Sequence, residues 1–343
     1  MKKCLIYIAI ALTTLIAGFM GCGKKDQDVK EQQELKSVKN QQEVKCQDVY
    51  VAGVEEGIPT LWKNGVAQRL SDRDWEYGGW DNLSIFVSGD DVYVAGRLLD
   101  EHGGIQRATL WKNGVDQQLQ LQLGDSHGIS SVFVSDGNVY VAGKRWGGWG
   151  DDDGNTCFVT LLENGVPQRL GDEQANSVFV SGNDVYVVGN VTLWKNGAAQ
   201  RLSDDGQAHS VYVSGNDVYV AGREGPWDSA VATVWKNGVP RRLGNGEARS
   251  VFVSGKDVYV AGDQNNAATL WKNGVPQRLS YDNKNPFAKA HSVYVSGNDV
   301  YVAGCTGRWK HGRYDDAILW KNGIPQRLSS DVTIAEAMSV FVK

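Results

Sequence analysis

The feature that most constrains the fold of this chain is a repeat of about 40 residues that begins near residue 48. The phrase VYVAG, with small changes, occurs seven times, and LWKNG or a variant follows each copy. SVFVSG or a variant precedes the last six copies, and a seventh copy, SVFVK, ends the chain at Ser339–Lys343. Short β runs at such a period are typical of propeller blades or solenoid coils.

Each repeat is predicted to form four strands. SVFVS and DVYVAG are β-branched and aromatic runs joined by a Gly-Asn turn. TLWK is joined to VPQRL by Asn-Gly, which favours a type I′ hairpin. The VYVAG and TLWK strands should be neighbours, because only Asn190 separates them in the fourth repeat. The segment from QRL to the next Ser has at least six residues, so it is the predicted connection between sheets. Pro and Arg in VPQRL protect an outer edge.

These patterns predict an all-β fold, a seven-bladed β-propeller of four-stranded blades over residues 46–343. The first repeat lacks its inner strand and the C-terminus supplies one extra copy. The C-terminal strand, residues 339–342, should therefore join the N-terminal blade at 48–53 and close the ring. A solenoid or a pair of sandwiches is the alternative, although neither needs this complementarity of the two ends.

The first 45 residues are predicted to direct and tether the protein. Lys2 and Lys3 precede an apolar run over 4–20, and Gly21-Cys22 follows. The segment resembles the leaders of bacterial lipoprotein precursors, which implies that residues 1–21 are a signal peptide and that Cys22 is lipidated. Residues 22–45 are then a charged tether. An uncleaved membrane anchor is the alternative, since the apolar run is almost long enough to span a bilayer.

Over residues 48–343 the chain resembles bacterial envelope lipoproteins with propeller repeats, which implies an extracytoplasmic domain held by a lipid anchor. The membrane is either the outer membrane, at the cell surface, or one facing the periplasm. With 35 basic and 40 acidic residues the net charge is -5, which argues against a nucleic-acid partner. No motif of a hydrolase, a P-loop or a dinucleotide site is present, so we expect a binding protein rather than an enzyme, with no cofactor.

Long links are predicted to lie on one face, the top, in an arc over blades seven, one, two and three. Aromatic side chains beside acids in such links favour a contact surface for a protein or glycan partner, and this is the leading functional hypothesis. The same tryptophans could instead only hold their own loops. The candidate residues are Trp75, Tyr77, Trp80, Trp146, Trp149, Trp309 and Tyr314.

A second candidate is the residue before the Ser of each inner strand, at the upper mouth of the central channel. This position varies between repeats while its neighbours do not, which favours either a ligand site or an unselected, solvent-facing ring. A ligand site here would make the protein a small-molecule binder or a propeller lyase or hydrolase, in which acids such as Glu247 could take part. The candidate residues are Asn176, His209, Arg249 and His291.

Other patterns are interpreted as structural. The Trp of LWKNG, as in Trp194, is predicted to pack between blades. The Lys that follows it should face turn acids on the bottom face. Asp151, Asp153 and Asn155 form an incomplete calcium loop, because Thr156 and Leu162 replace its Gly and its closing Glu. The histidines lack zinc-site spacing, so no metal is expected, and no disulfide is expected among Cys46, Cys157 and Cys305.

Overall fold

The computed structural model of the chain describes residues 47–71, 83–99, 106–117, 127–146, 157–172, 174–279, 287–307, 316–330 and 334–343. These ranges contain 27 strands and one short 3-10 turn, Trp227–Ser229. No helix within them has the length and apolar character needed to span a bilayer. The strands are named below by their place in the repeat: inner, second, third and outer.

The inner and second strands come from the SVFVS and VYVAG phrases. The inner strands are β4 (Ser84–Ser88), β8 (His127–Ser135), β12 (Ser177–Ser181), β16 (Gly206–Ser214), the later part of β19 (Val239–Ser254), β23 (Ala288–Ser296) and β27 (Ala335–Val342). The second strands are β1 (Val49–Glu55), β5 (Asp91–Leu99), β9 (Asn138–Trp146), β13 (Asp184–Gly189), β17 (Asp217–Glu224), β20 (Asp257–Gln264) and β24 (Asp299–Thr306).

The third and outer strands come from the LWK and VPQRL phrases. The third strands are β2 (Ile58–Lys63), β6 (Gln106–Lys112), β10 (Cys157–Glu163), β14 (Thr192–Lys195), β18 (Val231–Lys236), β21 (Ala267–Lys272) and β25 (Asp316–Lys321). The outer strands are β3 (Val66–Arg69), β7 (Val115–Asp116), β11 (Val166–Gly171), β15 (Ala198–Arg201), the first part of β19, β22 (Val275–Arg278) and β26 (Ile324–Arg327).

Within every repeat the strands pair antiparallel in the predicted order, inner, second, third, outer. The Asn-Gly turns have positive φ at both residues, as in Asn64 (53°) and Gly65 (81°), which confirms the predicted type I′ hairpins. The outer strands are exposed, as expected for a sheet edge.

Five of the seven inner strands, β8, β16, β19, β23 and β27, begin before the Ser of the SVFVS phrase, whereas β4 and β12 begin at it. Residues 244–249, predicted to be a link, lie inside β19, which runs from the outer position of one repeat to the inner position of the next. Its two halves join two repeats into a seven-stranded sheet beside five four-stranded sheets in the described ranges. A β-bulge between Ala248 and Ser250 shifts the register, and the residues before it, from Gly246 to Ala248, continue to pair with β20.

The C-terminal strand pairs with the N-terminal strand. β27 lies antiparallel to β1, with Val342 opposite Val49 and Ser339 opposite Ala52. Asp48 and Lys343 also exchange backbone hydrogen bonds. The first sheet is therefore built from both ends of the described domain, in the order β27-β1-β2-β3.

Two repeated contacts join the inner strands of neighbouring repeats. The Ser hydroxyl of one inner strand accepts a hydrogen bond from an amide of the next, as in Val251 to Ser210 (3.3 Å) and Val340 to Ser292 (3.2 Å). One aromatic ring per inner strand packs against the next at 4.5–5.2 Å between centroids. In the described residues this aromatic series returns to its start through Phe86, Phe133, Phe179, Tyr212, Phe252, Tyr294 and Phe341.

The hydrophobic core lies between neighbouring sheets. One cluster joins Tyr259 and Leu270 of one sheet to Val293 and Trp320 of the next. The repeated tryptophans are buried in such clusters, which confirms that they are packing residues: Trp62, Trp111, Trp194, Trp235, Trp271 and Trp320. Repeated sheets that bury both faces against their neighbours define an all-β repeat fold of the β-propeller type.

The predicted bottom face carries a repeated ion pair. Lys272 lies 2.7 Å from Asp257, and Asn273 donates a hydrogen bond to the same carboxylate (2.7 Å). The Asn273 side-chain oxygen accepts the Val258 amide. The Lys272 and Asn273 contacts lower the pKa of Asp257. The lysines and turn acids therefore face each other as predicted, and they tie the third strand to the second.

Deleting Ser339–Lys343 should destabilise the whole domain in one cooperative transition. The deletion removes the end of β27 from β1 and Phe341 from the aromatic series, with an expected loss of about 3–5 kcal/mol or more. Denaturant unfolding followed by tryptophan fluorescence measures it. Lys343→Ala is the control, because its ion pair with Asp90 is exposed and should contribute little. Equal stability of the truncated and intact chains would show that β27 is dispensable.

Candidate functional site

The predicted channel-mouth position is a β-bulge. His209, Arg249 and His291 are each the extra residue between two paired positions of an inner strand. Opposite the bulge lies the Gly of VYVAG, where a Cβ atom on Gly262 would come within 1.9 Å of the Glu247 carbonyl oxygen. The bulge and the glycine together direct variable side chains to one end of the inner strands.

Five charged or titratable side chains meet where the repeats that contain β17 and β20 adjoin. This group, the Glu247 cluster, consists of His209, Arg223, Glu247, Arg249 and Asp263. Glu247 is buried, with Oε1 at 3.1 Å from Arg223 Nε and 3.8 Å from His209 Nε2, and Oε2 in contact with Arg249. Arg249 also donates to Asp263 Oδ1 at 3.0 and 3.2 Å. Two carboxylates therefore share two guanidinium groups.

The cluster holds Glu247 in its charged form. Burial alone would raise the pKa of this carboxyl, but the His209 contact and the charges of Arg249 and Arg223 outweigh it and lower the pKa to about 2. The charges of Glu247 and Asp263 raise the pKa of Arg249 in spite of its burial. The Glu247 oxygens and Arg223 Nε are buried and lie at ion-pair distance without hydrogen-bond alignment, so the cluster is held mainly by charge.

A second group, the Cys305 triad, lies where the sheets of β24 and β27 adjoin. It consists of His291, Cys305 and Glu336. His291 Nε2 lies 2.8 Å from Glu336 Oε1, and Cys305 Sγ lies 3.5 Å from His291 Nε2 and 3.6 Å from Glu336 Oε1. Burial and the Glu336 charge raise the pKa of the Cys305 thiol well above its usual value. The pKa of Glu336 is lowered, because the contact with His291 outweighs its burial.

The two groups occupy equivalent positions of the repeat. Each contains a bulge residue, a second-strand residue that follows the VYVAG glycine, and an acid two residues before the bulge of the next repeat. Arg223 in the Glu247 cluster thus corresponds to Cys305 in the triad. The same backbone positions carry two different chemistries.

A cleft of about 650 Å³ opens beside the Glu247 cluster. Its walls combine an indole, amides, a lysine and part of the cluster, including Trp227, Asn245, Asn265, Asn266, Lys289, Glu247, Arg249 and Asp263. Trp227 is 64% exposed, and the Arg223 guanidinium lies 5.6 Å from its ring centroid. The cleft offers a flat apolar surface beside several hydrogen-bonding groups.

The structure brings three of the four predicted channel-mouth residues into these groups. His209 and Arg249 belong to the Glu247 cluster, and His291 belongs to the Cys305 triad. Asn176 is buried instead, and its side-chain amide donates to the Ala208 carbonyl (2.7 Å), so it joins two repeats.

The predicted aromatic surface, the predicted leader and the predicted lipidation site lie outside the part of the chain whose side chains the structure describes. Trp146 is described only as the last backbone position of β9. The other residues lie in undescribed segments: Cys22, Trp75, Tyr77, Trp80, Trp149, Asp151, Asp153, Asn155, Trp309 and Tyr314.

Sequence reasoning missed most partners of the bulge residues. Arg223, Asp263 and Cys305 follow the VYVAG glycine, a position whose variation between repeats could have marked it. Glu336 could have been found by aligning it with Glu247. Trp227 lies in the 223–231 link, outside the predicted arc, and it is a Trp that does not belong to an LWK phrase.

Comparison with known proteins gives one match to a repeat profile and several solved structures of low similarity. The LVIVD repeat profile matches residues 205–225 and 245–267, which include Arg223, Glu247, Arg249 and Asp263. No curated protein matches the chain. The repeat match and the strand pairing described above agree on a repeat protein with a fold of the β-propeller type.

Three solved structures resemble the chain at low identity. AztD from Citrobacter koseri is 12% identical, with 86% of this chain and 98% of that chain covered and a TM-score of 0.44. The exo-β-1,3-galactanase from Phanerochaete chrysosporium is 8% identical over 86% and 93%, with a TM-score of 0.38. Drosophila Semaphorin 1b, extracellular domains 1–2, is 9% identical over 90% and 77%, with a TM-score of 0.35. All three TM-scores are below 0.5, so these likenesses carry no argument about function.

Glu247→Gln should destabilise the domain at neutral pH by about 3 kcal/mol, because it leaves buried cations without their shared counter-charge. The folded pKa of Glu247 is depressed to about 2, so its contribution is present above the unfolded value of about 4.5 and is lost as the pH falls through 2. Denaturant unfolding at pH 7 and between pH 4.5 and 2 should show the two proteins converging. A stability difference independent of pH would argue against the ionic role.

Proposed function

We propose that this chain is a closed seven-bladed β-propeller that binds a hydroxyl-rich glycan in the cleft beside the Glu247 cluster. The seven-membered aromatic series and the pairing of β27 with β1 support the blade number and the closure. The blades are numbered from the sheet that contains β1, so the cleft lies on blades five and six, with Lys289 of blade seven in its wall.

The observation that carries the binding proposal is the composition of the cleft. The C–H faces of sugar rings pack on exposed aromatic rings such as Trp227. Sugar hydroxyl groups both donate and accept hydrogen bonds, and Asn265, Asn266 and Asp263 offer donors and acceptors within the same walls. The volume of about 650 Å³ is in the range of small-ligand sites and would hold a short oligosaccharide.

Charge balance favours a neutral glycan over an ionic ligand. The guanidinium of Arg249 is already shared between Glu247 and Asp263, so a strongly anionic ligand would compete with two carboxylates. A cationic ligand would meet Arg249 and Lys289 in the same walls. Neutral hydroxyl groups can bond to the side chains of Asn265, Asn266 and Asp263 without displacing an ion pair.

Binding is also favoured over catalysis at this site. A general acid must hold its proton near the working pH, whereas the pKa of Glu247 is lowered to about 2. Glu247 is further held by contacts with His209, Arg223 and Arg249, which suits a carboxylate that orients its neighbours. We therefore treat Glu247 as a positioning residue of the cleft.

We further propose that the domain is extracytoplasmic and is anchored to a bacterial membrane through a lipid on Cys22. The support is the leader sequence alone, with Lys2, Lys3 and the apolar run before Gly21-Cys22. A tethered, acidic propeller that presents a glycan cleft fits a binding module of the cell envelope. The aromatic arc at Trp75, Trp80 and Trp309 stays a predicted second contact surface for a protein or glycan partner.

A glycan array probed with the purified full-length chain should identify bound oligosaccharides, and calorimetry should then give affinities. Trp227→Ala should weaken the best-bound glycan about tenfold or more, equivalent to about 1.4 kcal/mol, while the unfolding transition stays unchanged. Ile324→Ala is the control, because Ile324 is an equally exposed apolar side chain on an outer strand of another sheet.

The outcome for the two variants decides the location of the site. Loss of binding in Trp227→Ala and not in Ile324→Ala supports the cleft. Full binding by Trp227→Ala, with loss in Trp75→Ala and Trp80→Ala, would contradict the cleft and assign the function to the aromatic arc.

A further inference from the structure

The Cys305 triad has the composition of a transition-metal site. Imidazole nitrogen, thiolate sulfur and carboxylate oxygen are together typical ligands of Zn²⁺, whereas Ca²⁺ and Mg²⁺ take oxygen ligands. The three ligand atoms of His291, Cys305 and Glu336 lie within 4.8 Å of one another. From this juxtaposition we propose that the channel mouth between blades seven and one binds one Zn²⁺ ion.

The distances agree with a tetrahedral ion. Zinc bonds of about 2.0–2.3 Å at tetrahedral angles place sulfur about 3.5 Å from a nitrogen or oxygen ligand. Cys305 Sγ lies 3.5 Å from His291 Nε2 and 3.6 Å from Glu336 Oε1. The His291–Glu336 separation of 2.8 Å is that of a direct hydrogen bond, and it would lengthen by about 0.5 Å when an ion is bound between the two atoms.

Burial leaves one side of the triad open. Cys305 is fully buried, while the side chains of His291 and Glu336 are 18% and 23% exposed. An ion can therefore reach the triad from solvent and keep water as a fourth ligand, as in three-ligand zinc sites. Binding requires the Cys305 thiol to release its proton to solvent and His291 Nε2 to carry no proton, since only a thiolate and an unprotonated imidazole nitrogen bind a metal ion.

The equivalent positions of the Glu247 cluster give an internal comparison. There Arg223 takes the place of Cys305 and lies 3.1 Å from Glu247, so that a guanidinium supplies the positive charge beside the acid. In the triad a thiol replaces this cation, and a bound Zn²⁺ ion would restore the positive charge at the same backbone position. The ligands come from three strands, β23, β24 and β27, which is why local sequence spacing does not reveal the site.

Calorimetry of the metal-free full-length chain with ZnCl₂ tests the site, with Co²⁺ as a spectroscopic probe of the thiolate. The intact chain should bind Zn²⁺, and Cys305→Ser should bind at least tenfold more weakly and lose the thiolate-to-cobalt charge-transfer band. His209→Gln, the bulge histidine of the other group, is the matched control and should keep both. Glu336→Gln, which retains a hydrogen-bonding side chain at that position, is a second test and should also lower the affinity for Zn²⁺.

Thermal unfolding of each metal-free variant separates ligand loss from unfolding, and affinities are compared per folded molecule. Equal zinc affinity in the intact chain, Cys305→Ser and Glu336→Gln would overturn the proposal, as would the absence of a cobalt band in the intact chain. Trp227→Ala should bind Zn²⁺ like the intact chain whatever its effect on glycan binding, so the two proposals fail independently.

Discussion

The lateral contact between neighbouring inner strands is the interaction on which the rest of the structure depends. A Ser hydroxyl accepts the amide of the next inner strand, and an aromatic ring packs beside it, as in Ser210 with Val251 and Tyr212 with Phe252. Because these contacts join the inner strands of neighbouring repeats, they determine how closely one bulge lies to the next. The Glu247 cluster and the Cys305 triad both lie across such a contact, so each needs two repeats to exist.

The strands and turns of the repeat could be predicted from the sequence because the same residue types recur where the backbone requires a particular conformation. Asn-Gly supplies two positive φ angles, and the strand order follows from link lengths such as the single residue Asn190. The bulge was not predicted, because Ala-His-Ser and Ala-Arg-Ser give no signal for an extra residue. The sequence feature that accompanies the bulge is the VYVAG glycine. Because glycine has no Cβ atom, the carbonyl oxygen of the inner strand can lie against it, as at Gly262.

The candidate site was predicted in part for a related reason. Variation at one position identified His209, Arg249 and His291, since a position exposed at a strand end is free to differ between repeats. Their partners depend on which strand faces which in space, and Glu247 and Glu336 each come from the next repeat. Asn176 occupies the same variable position, but its side-chain amide donates a hydrogen bond to the Ala208 carbonyl. This contact depends on the position of Ala208 in the next repeat, which the sequence alone does not give.

The proposed closure requires that the pairing of the first and last strands, β1 and β27, is as stable as the pairing of interior strands. Native-state hydrogen exchange at two amides tests it directly, because Val340 and Val251 make the same hydrogen bond to a Ser hydroxyl of the preceding inner strand. Both amides are expected to exchange only through global unfolding, with equal free energies of opening. Exchange at Val340 that is orders of magnitude faster than at Val251 would contradict it.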